Sequence, residues 1–509
     1  MKGVRTASLV MLAPAAVLAQ GGRGAPGPQG GSEQGVPAIE KVSTTRHRAT
    51  INGQDIGYTA NAGTMVIRDA DGKPRATVFY IAYTRDGQNA ATRPVTFFFN
   101  GGPGSASIWL NEGIMSPMHP TMGPGGAQPA PPYDLVPNQY SPLAATDLVQ
   151  VDAMMTGYSR PAPGVAVSEF TGQQNDIALF SQFVRNYLTK YQRWSSPKYL
   201  FGESYGTFRS AGMVNYLQQS EGIFLNGVML LGTVLDFSNI SPSASNDPPY
   251  AMFLPTYTAS AWYHKRLPAE LQKLTLAQAV QQSRDFAFGD YLVTLAKGNT
   301  LTDAEFDAAA QKVARFTGLP LQFVKNTNLR VDAGAFRTEL LRDKREMLGR
   351  YDTRLTGLQG NASSLNQDYD PSDVAPTGAF MQAFMRYVQD SLDYHTDLQY
   401  MLSGQTGQWV YGGGGRGGGG FGGSPTTSQD LRVAMSKDPR LRVWVGSGYY
   451  DSATPFANAE YTFRHLGYGK AYTDRVSYDY FESGHMAYLN QESARQLSDA
   501  IQKFVRGGR

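Results

Sequence analysis

One short stretch constrains this chain more than any bulk property. Residues 198–210 read KYLFGESYGTFRS, with a single serine, Ser204, between Gly202 and Gly206. The apolar run before the serine reads as a buried strand, and the residues after Gly206 suit a helix. A Gly-x-Ser-x-Gly sequence at a strand-to-helix junction makes a sharp, strained corner that lifts the serine hydroxyl out of the sheet. Glycines are needed because neighbouring segments approach too closely there for side chains. The pentapeptide alone arises often by chance; its setting is what gives it weight.

The rest of the chain supplies that setting. Short apolar runs at 94–99, 146–151, 199–201, 225–231, 441–445 and 476–481 read as strands, most of them continuously apolar, as strands covered on both faces are. Helical periodicity lies between them. Ile177, Phe180, Val184, Tyr187 and Leu188 share one face, as do Ala494, Leu497, Ile501 and Phe504 in the last helix. Alternating strands and helices predict an α/β fold with a mostly parallel sheet flanked by helices. Ahead of it, 50–60, 63–69 and 75–83 read as antiparallel strands, with Asp71-Gly72 as a turn. From 236 to 404 strand signal fades. Helices are expected at 271–297, 303–316 and 335–348, with Thr302 offering a cap ahead of Glu305. Such an insertion in an α/β enzyme usually lies over the carboxyl ends of the strands. The expected organisation is a first core segment at 39–235, a helical cap at 236–404, a Gly-rich loop region at 405–430 and a second core segment at 431–509.

Bulk properties remove several functions. Lys2 and Arg5, an apolar run from Ala7 to Leu18 and small residues near Ala19 predict a signal peptide over 1–19, followed by a disordered Gly/Pro-rich linker over 20–38. No later run is apolar enough to span a bilayer, so no integral membrane segment is expected after cleavage. The chain has no cysteine, which fits a bacterial periplasmic or secreted protein without disulfides. A net charge of +3 without basic blocks gives nothing to hold nucleic acid. No metal site or cofactor is expected. The six histidines are scattered, and the nearly pure glycine run at 412–423 lacks the strand-to-helix context and the lysine of a phosphate loop.

A serine hydroxyl is a poor nucleophile without a base and an acid that orients it. In a strand-turn-helix enzyme of the α/β-hydrolase kind those partners follow in the order serine, acid, histidine. His485 stands in YFESGHMAY, between the last strand and the last helix. Asp451 ends the strand before it, in LRVWVGSGYYDSATP. Alone, His485 could be a core histidine and Asp451 a helix cap. The order and the shared position at strand ends favour Ser204, Asp451 and His485 as a triad. An oxyanion needs preorganised N–H donors. The amide of Tyr205 supplies one, and the loop FFFNGGPGSAS at 97–107 supplies another through Gly101 or Gly102.

Asn100-Gly101-Gly102-Pro103-Gly104, Gly202-Glu203-Ser204-Tyr205-Gly206, Gly157-Tyr158-Ser159, Asp451 and Gly484-His485-Met486 together resemble the serine carboxypeptidase family, over about 50–505. The resemblance implies an α/β-hydrolase fold with a helical cap and removal of single residues from peptides with a free C-terminus. It implies that Ser204 is the nucleophile, His485 the base and Asp451 its orienter, and that Gly102 and Tyr205 supply the oxyanion amides. It also implies that Asn100 and Glu203 bind the substrate's terminal carboxylate. Two close carboxylates cannot both stay ionised cheaply, so one should hold a proton, and activity should peak on the acid side of neutrality. Glu203 could instead serve as an ion-pair partner. The chain departs from the family at Ser105, where a cysteine is usual, and at Phe98, where a tryptophan is usual. A second family acid falls on Ile114, with Glu112 off register. An esterase or acyltransferase with the same triad, or a non-catalytic binding protein, are the other classes open to such a chain.

Overall fold

The computed structural model describes residues 35–404, 409–411, 424–467 and 469–508. The expected signal peptide, linker residues 20–34 and the glycine run at 412–423 lie outside the described residues. Val36, at the start of the described chain, donates its N–H to the Pro161 carbonyl (3.2 Å).

The sheet begins with three long antiparallel strands, β1 (Lys41–Ile51), β2 (Gln54–Arg68) and β3 (Pro74–Arg85). The single strand expected over 50–60, ending near Asn61, does not form. The break falls instead at Asn52-Gly53, where both residues have positive φ (49° and 73°). Asn-Gly adopts this left-handed pair readily, and it matches the twist of a two-residue hairpin, so Ile51 pairs with Gln54. β1 is mostly polar and exposed, which is why its hydrophobic pattern was faint. The Asp71-Gly72 turn forms as expected. Asp69 Oδ1 accepts the N–H groups of Asp71 and Lys73, and Gly72 sits at φ 82°.

Besides the short Arg160–Pro161, which pairs with β3, the sheet continues through β4 (Val95–Phe99), β5 (Asp147–Val151), β6 (Lys198–Glu203), β7 (Gly227–Leu231), β8 (Arg442–Gly448) and β9 (Val476–Phe481). They order the sheet as β1-β2-β3-β5-β4-β6-β7-β8-β9. β3 meets β5 antiparallel, and every pair from β5 to β9 is parallel. β4, β5 and β7 are buried at every residue, as strands with helices on both faces must be. Helices α1 (Gln173–Lys190), α2 (Tyr205–Tyr216) and α7 (Ser428–Lys437) pack on one face through Phe180, Met213 and Leu431. The last helix, α9 (Gln491–Val505), covers the other face with Leu497, Ile501 and Phe504.

Between β7 and β8 the chain is mainly helical. α3 (Pro248–Tyr263), α4 (Leu276–Phe286) and α5 (Asp303–Thr317) share a core of their own, in which Tyr257 stacks on Phe336 at 4.2 Å. Thr302 caps α5 reciprocally with Glu305. The helix expected over 271–297 is broken, because Thr275 and Gln278 form a second capping box that starts α4 afresh. The helix expected over 335–348 stops at Glu339. Arg345 turns left-handed, and Glu346–Leu348 pairs as a strand with Thr356–Leu358. Helix α6 (Pro371–Arg386), capped by Asp370, sends Phe380 and Phe384 into the core of the main sheet rather than that of the insertion. No helix among the described residues is long and apolar enough to cross a membrane.

Candidate active site

The corner after β6 is built by steric exclusion. Ser204 has φ 60° and ψ −128°, a conformation that costs a non-glycine residue about 1–3 kcal/mol. It is held by its N–H to the Leu231 carbonyl (3.0 Å) and by its carbonyl, which accepts from the Thr207 N–H (2.8 Å) and hydroxyl (2.6 Å). A Cβ at Gly202 would lie 2.1 Å from the Gly206 carbonyl oxygen, and one at Gly206 would lie 2.7 Å from that of Phe99. Both glycines are therefore set by close approach.

Asp451 follows β8 and is fully buried. Its Oδ1 accepts the N–H groups of Ala453 (2.8 Å) and Thr454 (2.9 Å), and its Oδ2 accepts the Thr454 hydroxyl (2.7 Å). Oδ2 also meets His485 Nδ1 at 2.7 Å. A carboxylate so supplied with donors remains an acceptor, so His485 carries its proton on Nδ1 toward Asp451. Burial by itself would lower the imidazole pKa; the Asp451 charge and hydrogen bond outweigh it and raise the value above the ordinary 6.5. Nε2 is buried and has no hydrogen bond among the described residues, which leaves it free as an acceptor. The ring fits because residue 232 is glycine: a Cβ there would lie 2.7 Å from Nδ1. The His485 N–H donates to the Tyr351 carbonyl (2.6 Å), tying this histidine to the segment between the two short strands of the insertion.

Ser204 and His485 line one cavity of about 260 Å3, together with Asn100, Gly102 and Glu203. A Cβ at Gly101 would lie 2.3 Å from the Tyr205 nitrogen, so the loop after β4 lies directly against the start of α2. Neither the Gly102 nor the Tyr205 amide donates to a protein acceptor among the described residues. Asp152, a residue the sequence reading passed over, anchors this loop. Its Oδ1 accepts the Ser107 N–H (2.7 Å), and the Ser107 hydroxyl donates to the Val151 carbonyl (2.6 Å). Burial lifts the Asp152 carboxyl to about 6. Gly157 is needed beside it, since a Cβ there would overlap Asp152 Oδ2.

Asn100 and Glu203 are both buried at this cavity. Asn100 Oδ1 is occupied by the Leu110 N–H (2.9 Å), and its carbonyl by Arg209, whose guanidinium is paired with Asp176 (2.7 Å). The Asn100 side-chain NH2 is directed at Glu203 and Tyr488. Glu203 Oε2 has no hydrogen bond among the described residues, and burial raises its carboxyl to about 7. The nearby His485, and Tyr488 and Asn100 beside it, offset that rise in part, without either side chain closing a full hydrogen bond onto Oε2. Glu203 is paired with no cation among the described residues, so the ion-pair alternative has no partner here. The Tyr488 hydroxyl is likewise buried and unpaired, with its ring pressed on Gly113. Glu112 does not reach the Ser204 cavity. The π turn Asn111–Met115 turns it into a neighbouring cavity of about 740 Å3, where burial holds its carboxyl well above the usual range. Asp152, Gly232 and Tyr488 carried no legible signal, because their roles depend on neighbours distant in the chain. Among the described residues no group of three or more histidines and carboxylates is placed to hold a metal ion.

A mostly parallel sheet with a Gly-x-Ser-x-Gly corner after a central strand, and a histidine–aspartate pair after its last two strands, makes this an α/β-hydrolase. Several solved structures align with the chain at low similarity. Proline iminopeptidase of Mycobacterium smegmatis is 14% identical and aligns over 87% of this chain and 97% of its own, with a TM-score of 0.35. A carboxyl esterase from Bacillus coagulans is 10% identical over 87% and 97%, with a TM-score of 0.32. A monoglyceride lipase from Saccharomyces cerevisiae is 11% identical over 87% and 93%, with a TM-score of 0.33. No curated protein sequence matches the chain. Within the class the assignment is narrower: the serine carboxypeptidase family profile matches residues 54–328, more than half of the chain, and the protein belongs to that family.

Proposed function

We propose that this hydrolase is a carboxypeptidase acting in the periplasm or outside the cell, which removes single residues from the C-termini of peptides through an acyl-enzyme on Ser204. The observation that carries the reading is Glu203, a buried carboxyl with no cation partner, raised to about 7, at the cavity that Ser204 lines. A group in that state can share a proton with a second carboxylate instead of repelling it. The side-chain NH2 of Asn100, beside Glu203, supplies a donor to the same anion.

In this mechanism Ser204 Oγ attacks the scissile carbonyl carbon while His485 Nε2 takes the hydroxyl proton. Asp451 holds the imidazole by Nδ1 and stabilises the imidazolium. The carbonyl electrons move to oxygen, where the amides of Gly102 and Tyr205 receive the charge. Collapse breaks the C–N bond, and His485 returns the proton to the leaving amine of the terminal residue. Water then enters by the same base, cleaves the acyl ester and restores the serine. Every step uses side chains and amides of the protein itself.

The test compares blocked dipeptides with a free and an amidated C-terminus, and simple esters. The expected result is efficient cleavage of the free acid with the amide largely spared. Preference for esters with no free-acid advantage would make the protein an esterase, and cleavage of none would make it a binding protein.

A further inference from the structure

The cavity shared by Ser204 and His485 contains a cation that the mechanism above does not use. Arg350 lines it from the loop that follows the short strand Glu346–Leu348. Its backbone is pinned on every side. The N–H donates to Asp370 Oδ1 (3.0 Å), and the carbonyl accepts from Ser452, next to Asp451 (3.0 Å). The following residue, Tyr351, donates its N–H to the Ser372 hydroxyl (2.9 Å) and accepts the His485 N–H (2.6 Å). The chain is therefore fixed directly beside the base.

The guanidinium, by contrast, is uncommitted. It lies over the Tyr351 ring, 5.4 Å from its centre, and makes no hydrogen bond or ion pair among the described residues. Other arginines held within this fold are spent: Arg93 and Arg193 on Asp147, Arg209 on Asp176, and Arg354, four residues on, on Asp352. Asp373 lines the same cavity but stays beyond ion-pair distance, and Asp370 Oδ1 is occupied by the Arg350 and Ser372 N–H groups and the Ser372 hydroxyl. A rigidly carried guanidinium with five free donors, facing a cavity that holds the attacking group, is suited to a planar anion.

We propose that Arg350 is a specificity-determining residue that binds a substrate carboxylate, either the free C-terminus or an acidic side chain flanking the scissile bond. The proposal rests on the carboxypeptidase reading and adds the charge of the preferred substrate to it. The two sources share one chemistry and differ in which peptide loses affinity when the cation is removed.

The experiment measures kcat and KM for four blocked dipeptides: one neutral, one with glutamate for glutamine before the scissile bond, one with that exchange after it, and the neutral one amidated. The native protein is compared with Arg350→Gln and Arg350→Lys, each first shown to be folded by its thermal transition. A charge-assisted contact gives roughly a tenfold or larger preference for the carboxylate-bearing peptide. Arg350→Gln should remove that preference through KM, and Arg350→Lys should restore part of it, because the charge returns without the fork. Loss of the free-over-amide ratio assigns Arg350 to the C-terminus; loss of a glutamate-over-glutamine ratio assigns it to that side chain. If the native protein cleaves free-acid peptides and all three ratios are the same in Arg350→Gln, the inference is overturned while the function stands. If the native protein cleaves no peptide, both fall.

Discussion

Ser204 combines a strained backbone with an uncommitted hydroxyl, and the two properties can be separated by substitution. Ser204→Ala keeps the strain and removes the hydroxyl proposed as nucleophile; peptidase activity should fall by several orders of magnitude, and a serine-directed phosphonate should no longer label the protein. Ser204→Gly should be equally inactive but more stable than Ser204→Ala by roughly 1 kcal/mol, because glycine tolerates a φ of 60°. Equal stability in a urea titration would mean that the corner is not strained. Glu203 makes a prediction of opposite sense. Its carboxyl moves from an ordinary 4.5 to about 7 on folding. Between those pH values the folded protein holds a proton that the unfolded chain has lost, so stability declines as pH rises through that window. Glu203→Gln should flatten the decline. The same substitution should remove the alkaline limb from the pH profile of free-acid peptides and leave the acid limb, which His485 sets by having to be neutral. The raised His485 pKa moves that acid limb upward, so the activity window should be narrower than Glu203 alone would suggest. Identical profiles for the two proteins would remove Glu203 from substrate recognition.

Elements matter here chiefly by how closely they meet. The loop after β4 and the first turn of α2 are in backbone contact, and only glycine at 101 permits it. Gly101→Ala would force a Cβ to within 2.3 Å of the Tyr205 nitrogen, so one of the two segments must shift. That shift displaces the amides proposed to hold the oxyanion, and kcat should fall by about 10²–10³, the loss typical when one such donor is removed. KM for a neutral peptide should move far less. A kcat within threefold of native would show that the oxyanion is held elsewhere. At this scale the reading from sequence was uneven. Thr302 with Glu305, and the Asp71-Gly72 turn, were legible because each is a local hydrogen-bonding pattern. The Asn52-Gly53 hairpin is equally local and was missed, because a strand was sought in the polar residues on either side of it. The strand Glu346–Leu348 was read as helix, since its partner Thr356–Leu358 lies beyond any local window.

Over the whole molecule, the insertion between β7 and β8 meets the main sheet through apolar packing, as with Phe380 and Phe384, and through polar contacts that only folding assembles. Arg284 of α4 meets Glu460 of α8 (Phe456–Arg464) at 2.6 Å, and the Tyr480 hydroxyl of β9 donates to the same carboxylate at 2.8 Å. Arg284→Ala leaves Glu460 nearly buried with a cation gone, and should cost about 2–3 kcal/mol in a denaturant titration, somewhat less than a fully buried broken pair. Adding Glu460→Gln should recover part of that loss, because the nearly buried carboxylate that has lost its closer cation and keeps only Arg464 at 3.4 Å is then neutral; a purely additive double variant would show that the two side chains do not interact. The alternating strands, the order serine–aspartate–histidine and the Asn-Gly-Gly-Pro-Gly loop were legible in the sequence alone, because periodicity, glycine spacing and chain order are local or one-dimensional properties. Tertiary structure decided the rest. It brought Asp451 onto His485 Nδ1, left Nε2 and Glu203 Oε2 without partners among the described residues, turned Glu112 away into another cavity and set Arg350, unpaired among those residues, beside His485. Whether a polar atom finds a partner depends on segments hundreds of residues away, and burial sets the cost of lacking one, so no reading of a single stretch could have supplied it.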